Sequence, residues 1–187
     1  HTKDRNFLQK IERPFTIKRS EEFDKKHLPE KFDYIYFKSI HKYIFQDIYE
    51  WAGEQRTVDL AKDGHIFCRV TEIESTAEKI FSKLDKENNF KNSTKEELSH
   101  KLSDLFFEVN QLHPFREGNG RTQRQFLSNL AKINGYELDF KNISSDEMIK
   151  ISVNKDKKSM IEKINENLKT ISRKKELKKN KEKDLER

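Results

Sequence analysis

The junction between two strongly periodic segments constrains the fold more than any other stretch of this sequence. Apolar residues recur at helical spacing on both sides of it, at Leu98, Leu102, Leu105, Phe106, Val109 and Leu112 before the junction and at Phe126, Leu127, Leu130, Ala131 and Ile133 after it. Such spacing places the apolar side chains on one face of a helix, and that face has to be buried. Gly118 and Gly120 interrupt the pattern between the two segments. The sequence therefore predicts two core helices joined by a short loop.

Helix signals elsewhere in the chain predict an all-α fold. Residues 32–48 carry apolar side chains at helical spacing, and Gly53 can close the end of that helix. Three segments match the capping box, in which a Ser or Thr precedes a Glu by three positions, and they begin at Thr71, Thr94 and Ser144. Trp51, the single tryptophan, is interpreted as a packing residue at the end of the first helix.

Residues 57–70 break the helical pattern and predict a β-hairpin. Short apolar runs lie on either side of Asp63-Gly64, a dipeptide typical of a tight hairpin turn. A single hairpin has exposed strand edges, and an exposed edge can pair with an extended peptide from a partner. The alternative is a loop that packs on the helices.

The length of the chain favours one domain, and its charge is concentrated in a C-terminal tail. A chain of 187 residues suits a single hydrophobic core. We expect three parts: a peripheral N-terminal arm over residues 1–31, in which Pro14 prevents an early helix, a helical domain over 32–170 and a charged tail over 171–187.

Most of the net charge lies at the C-terminal end of the sequence. Residues 168–187 hold nine basic and four acidic side chains, which accounts for five of the six net positive charges. The body is therefore almost neutral, which argues against a nucleic-acid-binding surface.

The cysteine content and the hydropathy pattern favour a reducing compartment. Cys68 is the single cysteine, and no Cys/His set has the spacing of a zinc site. No apolar run approaches the length of a membrane span, and no charged-then-apolar leader opens the chain. We expect a cytoplasmic protein without membrane contact, with a secreted effector as the alternative.

The loop at the junction has the composition of a phosphate-binding site. A glycine-containing turn that enters a helix presents unpartnered backbone N–H groups and the positive end of the helix dipole. Gly118 and Gly120 permit close approach of an anion, and Asn119 can add its side-chain amide. Arg121 and Arg124 are three positions apart, so we expect both to face the same polyphosphate.

Glu117 and His113 add a chemical step to this binding site. The Glu117 carboxylate would repel a phosphate unless a cation lay between them, and Mg²⁺ held by one carboxylate and substrate phosphates resolves the conflict. His113 can accept a proton from an incoming hydroxyl group. Its alternative role is to cap the end of the preceding helix. A metal-hydrolase fragment is a further alternative, but the additional ligands that it requires are not found at helical spacing.

These residues resemble the signature of the Fic (filamentation induced by cAMP) family, HxFx(D/E)GNGRxxR. The segment His113-Pro-Phe-Arg-Glu-Gly-Asn-Gly-Arg-Thr-Gln-Arg124 matches it at every fixed position. The resemblance covers residues 32–135, because residues 48–53 are similar to the helix end before the family's flap and residues 57–70 are similar to the flap itself.

The resemblance implies a Fic-type helical bundle with a small β-hairpin flap beside the active-site loop. It implies a bacterial enzyme, connected with toxin–antitoxin systems or cell filamentation, that transfers AMP from ATP to a Ser, Thr or Tyr hydroxyl of a target protein. The implied catalytic roles are His113 as the base, Glu117 as the Mg²⁺ ligand, Gly118, Asn119, Gly120 and Arg121 at the phosphates, Arg124 at the distal phosphate and Phe115 in the core. The flap residues implied to align the target are Lys62, Asp63, Gly64, His65, Ile66 and Phe67.

Two other functions stay open at this point. Doc-type kinases of the same family usually carry lysine at the position of Gly120 and lack the second arginine, so AMP transfer is favoured over phosphorylation. A non-catalytic module could bind a nucleotide at the loop and a peptide at the hairpin, although the intact His113 and Glu117 favour an enzyme.

Many Fic proteins are restrained by a helix with the pattern Ser/Thr-x-x-x-Glu-Gly/Asn, whose glutamate pairs with the second motif arginine. The nearest match is Ser172 with Glu176, but Leu177 follows where Gly or Asn is expected. Either Glu176 is a degenerate internal inhibitor or a separate small antitoxin-like protein restrains the enzyme. We favour the second alternative.

Overall fold

The computed structural model describes residues 5–26, 28–62 and 64–171. Within these residues the chain forms seven helices: α1 (Arg5–Asp24), α2 (Tyr34–Phe45), α3 (Ile73–Lys86), α4 (Lys95–Leu112), α5 (Asn119–Ile133), α6 (Ser145–Asn154) and α7 (Lys157–Asn167). Two small antiparallel pairs accompany them, β1 (Ala61–Lys62) with β2 (His65–Ile66) and β3 (Tyr136–Leu138) with β4 (Leu168–Thr170). The predicted helical bundle with a small hairpin is confirmed.

An aromatic cluster between α2 and α5 forms the centre of the core. Phe37 on α2 stacks on Phe115 at 5.8 Å and meets Phe126 on α5 edge-on at 5.4 Å between ring centroids. Phe81 on α3 also meets Phe126 edge-on, at 5.6 Å. These edge-on and offset arrangements add to the hydrophobic gain of burying the rings. Phe115 therefore anchors the loop between α4 and α5 directly in the core, as the resemblance implies.

Two of the three predicted helix starts are confirmed. At α4, the Thr94 hydroxyl accepts the N–H of Glu97, and the Glu97 carboxylate accepts the N–H of Thr94, which completes the capping box. At α6, the Ser144 hydroxyl accepts the N–H of Glu147. The capping box at Thr71 is wrong, because residues 70–72 form a 3₁₀ turn before α3. The Asp59 carboxylate holds this turn by accepting the N–H of Val70 at 2.7 Å.

The N-terminal segment is helical where the sequence predicted an interruption. Pro14 lies inside α1, so the interruption expected there is wrong. A proline within a helix removes one backbone hydrogen bond, but contacts with α2 and with the turn that follows it compensate. The Arg19 guanidinium binds both carboxylate oxygens of Asp47, at 2.5 and 2.9 Å, and Phe23 packs against Tyr43 with 5.3 Å between centroids. Tertiary packing therefore overrides the local effect of the proline.

The first core helix is shorter than its sequence pattern predicts. Helix α2 ends at Phe45 rather than at Gly53, and turns occupy the intervening residues. Trp51 in these turns stacks on Tyr49 at 4.3 Å and on His41 at 5.8 Å, so its interpretation as a packing residue is confirmed.

The two strand pairs are short. In the hairpin, Ala61 pairs with Ile66 and Lys62 with His65, so each strand has two residues. The pair β3–β4, which the sequence pattern did not indicate, joins the end of α5 to the end of α7. No helix in the described part of the chain is both long and apolar enough to cross a membrane.

Candidate active site

A cleft of about 680 Å³ lies between the hairpin, the loop that follows α4, the start of α5 and one face of α6. It brings together most of the residues predicted from the sequence: Lys62, His65, Phe67, His113, Glu117, Gly118, Asn119, Gly120, Arg121 and Arg124. Asp63 lies outside the described residues, as do Ser172 and Glu176. The helix–loop–helix junction and the hairpin thus form two walls of one site.

His113 ends α4 in a conformation that aims its ring into this cleft. Its backbone is left-handed, with φ of 42°, and its ring stacks on Phe67 at 3.7 Å between centroids. The Nδ1 atom lies 3.3 Å from the carbonyl oxygen of Asn110. A carbonyl can only accept, so in the neutral ring Nδ1 carries the proton and Nε2 keeps its lone pair.

The environment of His113 holds it neutral. Burial is the largest effect and lowers the pKa of His113 to about 4, while the hydrogen bond to Asn110 acts in the opposite direction. Electrostatic interactions with Arg56, Lys62 and His65 lower the pKa of His113 further. An unprotonated imidazole at neutral pH can act as a base.

Gly118 allows the loop to pass close against α2. Its φ is 81°, a left-handed conformation, and a Cβ atom there would overlap with the ring carbons of Phe45. Its N–H donates to the Glu117 carboxylate at 3.0 Å. Gly118 is also the residue that precedes α5, and no described side chain caps this helix. The first N–H groups of α5 therefore face the cleft without a side-chain partner, the arrangement that binds anions at helix ends.

Asn119 closes the loop through its side chain. Its amide oxygen accepts the N–H of Phe115 at 2.9 Å, and its amide nitrogen donates to the Phe115 carbonyl at 2.8 Å. The side chain that was expected to reach phosphates is thus engaged within the loop. What Asn119 offers an anion here is its backbone N–H in the first turn of α5.

The two motif arginines have different surroundings. Arg121 forms an ion pair with the buried Glu12 of α1, donates to the Thr16 hydroxyl at 3.2 Å and lies over the Phe45 ring. Arg124 has no hydrogen bond or ion pair with the described part of the chain. Burial is the main cause that lowers the pKa of its guanidinium, with Arg121 contributing. Arg124 is therefore the guanidinium whose donors remain available to a ligand.

Glu117 presents a carboxylate at the mouth of the cleft. Its side chain is 54% exposed and lies 3.9 Å from the Arg121 guanidinium. Among the described residues, no group of three His, Cys, Asp or Glu side chains is arranged to hold a metal. One accessible carboxylate beside an uncapped helix N-terminus fits Mg²⁺, which is commonly held by one or two carboxylates together with substrate phosphates. It does not fit the closed ligand set of a structural metal site.

The hairpin forms the wall beside His113. The Ile66 carbonyl accepts from the Gln111 side chain at 3.1 Å, and the Cys68 N–H donates to the Gln111 carbonyl at 2.9 Å. Ile66 is 67% exposed, whereas Phe67 is buried against His113. The hairpin is therefore attached to α4 on one side and open to solvent on the other.

Three residues that sequence reasoning missed support this site: Glu12, His41 and Arg56. The carboxylate of Glu12 pairs with Arg121 and accepts the Tyr49 hydroxyl at 2.5 Å. His41 and Arg56 are fully buried and bond to the backbone of the loop at Glu117 and at His113. The sequence contains one indication of His41, because it is a polar residue on the otherwise apolar helical face of residues 32–48. Nothing in the sequence indicated that its partner is the backbone at Glu117.

A sequence model of the Fic/DOC family matches residues 31–131, which include the loop, the hairpin and helices α2 to α4 with most of α5. The chain belongs to the Fic/DOC family. This finding confirms the resemblance that rests on the segment from His113 to Arg124.

Two curated relatives and one solved structure show how far the similarity of this Fic/DOC chain extends. It is 40% identical over 151 residues to the protein adenylyltransferase VbhT of Bartonella schoenbuchensis, covering 81% of this chain and 32% of VbhT. It is 40% identical over 108 residues to the probable protein adenylyltransferase y4lH of Sinorhizobium fredii, covering 57% of this chain and 56% of that protein. The BepC protein of Bartonella tribocorum, crystallised with AMPPNP, superposes with a TM-score of 0.87 at 24% identity over 90% of each chain.

The chain thus spans about a third of VbhT and just over half of y4lH. The BepC structure, at 24% identity, shares the fold.

Proposed function

We propose that this Fic/DOC protein is a Mg²⁺-dependent protein adenylyltransferase that transfers AMP from ATP to a hydroxyl side chain of a target protein. One observation carries the proposal: the Nε2 atom of a neutral His113 shares a cleft with an uncapped helix N-terminus and with the Arg124 guanidinium, which has no ion pair among the described residues. The names of VbhT and y4lH, both adenylyltransferases, support the reaction class.

The start of α5 and Arg124 bind the phosphates in this proposal. The backbone N–H groups of Asn119, Gly120 and Arg121 lie in the first turn of α5, where the helix dipole favours negative charge. Arg124 supplies a guanidinium for the distal phosphate, since it has no partner elsewhere in the described chain. A planar guanidinium can make two parallel bonds to phosphate oxygens, which fixes the orientation of the chain of phosphates.

Glu117 holds Mg²⁺ together with the phosphates. Within one cleft, the exposed Glu117 carboxylate can bind the cation, and the uncapped N–H groups of the first turn of α5 can bind the phosphates. When bound, Mg²⁺ neutralises negative charge on the phosphates and on the departing pyrophosphate.

His113 takes the proton in the transfer step. The hydroxyl oxygen of the target forms a bond to the α-phosphorus, and the bond from this phosphorus to the oxygen that bridges to the β-phosphate breaks. Pyrophosphate leaves, AMP remains on the target, and the hydroxyl proton passes to Nε2 of His113. Positioning and charge stabilisation then account for most of the catalysis.

The far wall of the cleft suits the nucleoside. Met148, Ile149 and Val153 of α6 line it, and the last two are exposed apolar side chains. An apolar face opposite a phosphate-binding loop gives the cleft the mixed character of a nucleotide site.

In this proposal the flap, residues 57–70, aligns the target protein. The short hairpin β1–β2 beside His113 offers a strand edge with which an extended segment of the target can pair. We propose a cytoplasmic or secreted bacterial enzyme, in keeping with the Bartonella effector description of BepC, restrained by an antitoxin-like partner or by Glu176.

Label transfer tests the proposal. The protein is incubated with a bacterial lysate, Mg²⁺ and ATP labelled at the α- or the γ-phosphate, in parallel with His113→Ala and with His100→Ala as the control. His100 is an exposed histidine on the same helix. The proposal expects label on protein from the α position alone, and this label should be lost in His113→Ala and retained in His100→Ala.

Label from the γ position would indicate a kinase. Label that persists in His113→Ala would exclude the base assignment, and nucleotide binding without transfer to any lysate protein would favour a non-catalytic module.

A further inference from the structure

Arg56 has surroundings that are unusual for a charged side chain. Its side chain is fully buried, and the nearest carboxylate, that of Asp59, lies 3.9 Å away and is mostly exposed. Burying a cation is costly unless its donors are satisfied. Burial accordingly lowers the pKa of the Arg56 guanidinium. The groups to which Arg56 bonds must therefore offset the free-energy cost of burying its charge.

The guanidinium of Arg56 bonds to three backbone carbonyls from three different segments. Its Nε donates to the carbonyl of His113 at 2.8 Å, one Nη donates to the carbonyl of Val58 at 2.6 Å, and the other donates to the carbonyl of Cys68. Its own backbone N–H donates to the carbonyl of Pro114 at 2.8 Å. Arg56 thus joins the two ends of the flap to the residue proposed as the base.

These bonds fix the position of the flap relative to His113, the proposed catalytic base. Val58 precedes β1 and Cys68 follows β2, so the two carbonyls lie on either side of the base of the hairpin. The third carbonyl belongs to His113, whose ring faces the cleft. A rigid planar group that holds all three limits how far the hairpin can shift relative to the imidazole. A peptide that paired with the edge of the hairpin would therefore also be held in position relative to the imidazole.

Within the adenylyltransferase proposal, on which this inference rests, we propose that Arg56 is a positioning residue that couples the flap to His113 through the carbonyls of Val58, Cys68 and His113. Arginine suits this role because its donors point in fixed directions within one plane. Lysine keeps the charge but places its donors on a single atom, so it cannot reach all three carbonyls. Methionine keeps the stem and provides no donors.

Two measurements on Arg56→Lys and Arg56→Met test the coupling, with Arg69→Lys and Arg69→Met as controls. Arg69 is an exposed arginine just beyond the base of the hairpin. The first measurement is amide hydrogen exchange of the whole protein by mass spectrometry. Exchange in residues 58–68 should accelerate about tenfold or more in Arg56→Met and less in Arg56→Lys, while peptides from α4 and α5 keep their protection. The Arg69 variants should exchange like the unaltered protein.

The second measurement is the initial rate of label transfer from α-labelled ATP to the lysate protein, as a function of ATP concentration. We expect the maximal rate to fall about tenfold or more in Arg56→Met while the KM for ATP stays within about twofold, because the flap moves and the phosphate loop does not. Arg56→Lys should retain an intermediate rate.

The outcomes separate this inference from the proposed function. If the unaltered protein transfers no label, adenylyl transfer fails, whereas hydrogen exchange still tests the coupling. Unchanged exchange in residues 58–68 of Arg56→Met would overturn the inference. So would accelerated exchange spread evenly over α4 and α5, which would indicate a general loss of stability, or an accelerated flap with an unchanged transfer rate.

Discussion

The Nε2 atom of His41 on α2 lies 3.0 Å from the carbonyl oxygen of Glu117 in the active-site loop. Its other ring nitrogen, Nδ1, lies 2.8 Å from the N–H of Gly53, which can only donate. Nδ1 is therefore the acceptor, and Nε2 carries the proton that it donates to Glu117. Burial, the largest cause, lowers the pKa of His41 to about 4, consistent with this neutral form. A residue distant in sequence thus holds the backbone of the proposed Mg²⁺ ligand.

Replacing His41 should destabilise the fold. His41→Phe keeps an aromatic ring against Phe115, on which His41 stacks at 3.9 Å, but it leaves the Glu117 carbonyl and the Gly53 N–H without these bonds. We expect a loss of about 2–4 kcal/mol in the free energy of unfolding, measured by urea denaturation. His100→Phe, at an exposed site, is the control and should change stability by less than about 0.5 kcal/mol. Equal stabilities of the two variants would contradict this role for His41.

The pH dependence of transfer should reflect the lowered pKa of His113. The base works unprotonated, so with a pKa of about 4 it stays active as the pH falls through the range in which an ordinary imidazole becomes protonated. At pH 5.5 about 97% of the His113 population should remain neutral, against roughly a tenth for an unperturbed histidine. The measurement is the rate of label transfer from pH 8 to pH 5.5, with folding checked by circular dichroism. A half-maximal rate near pH 6.5 would show that the site does not depress this pKa.

Gly118 should tolerate alanine much less well than another left-handed glycine. Gly118 and Gly135 have φ of 81° and 82°, but an added Cβ meets the Phe45 ring at Gly118 and nothing within 4 Å at Gly135. Gly135→Ala should therefore cost only the backbone strain, about 1–2 kcal/mol. Gly118→Ala adds steric overlap and should cost about 2–5 kcal/mol, together with a loss of ATP binding. Thermal unfolding and ATP titration would measure both effects, and similar losses in the two variants would contradict the packing argument.

Glu12 should contribute to stability through the active-site helix. Its carboxylate is buried and pairs with Arg121 and Tyr49, and the interaction with Glu12, after burial, raises the pKa of Tyr49. Glu12→Gln keeps the shape but removes the charge opposite Arg121. We expect a loss of about 1–3 kcal/mol in the free energy of unfolding, measured by urea denaturation. Glu21→Gln, on the same helix and exposed, should be neutral, and a neutral Glu12→Gln would mean that α1 does not support the site.

Local sequence determined much of the site. His113 ends α4 and Gly118 precedes α5 because the apolar spacing and the glycines specify helix, loop and helix within a few residues. The capping box at Thr94 has the same local origin, since both of its bonds join residues three positions apart. The family signature could be recognised for this reason, because its groups lie on one continuous segment.

Only the tertiary structure decided which side chains support that segment. Glu12 reaches Arg121, His41 reaches Glu117 and Arg56 reaches His113 across long separations in sequence, and no spacing rule encodes such pairs. Packing against α2 also allowed α1 to continue through Pro14, against its local preference. Short-range patterns report the backbone hydrogen bonds of a helix or turn, whereas these contacts depend on how helices pack in three dimensions. The sequence alone therefore determined the loop and the side chains that it carries, and the packed helices decided what holds that loop in place.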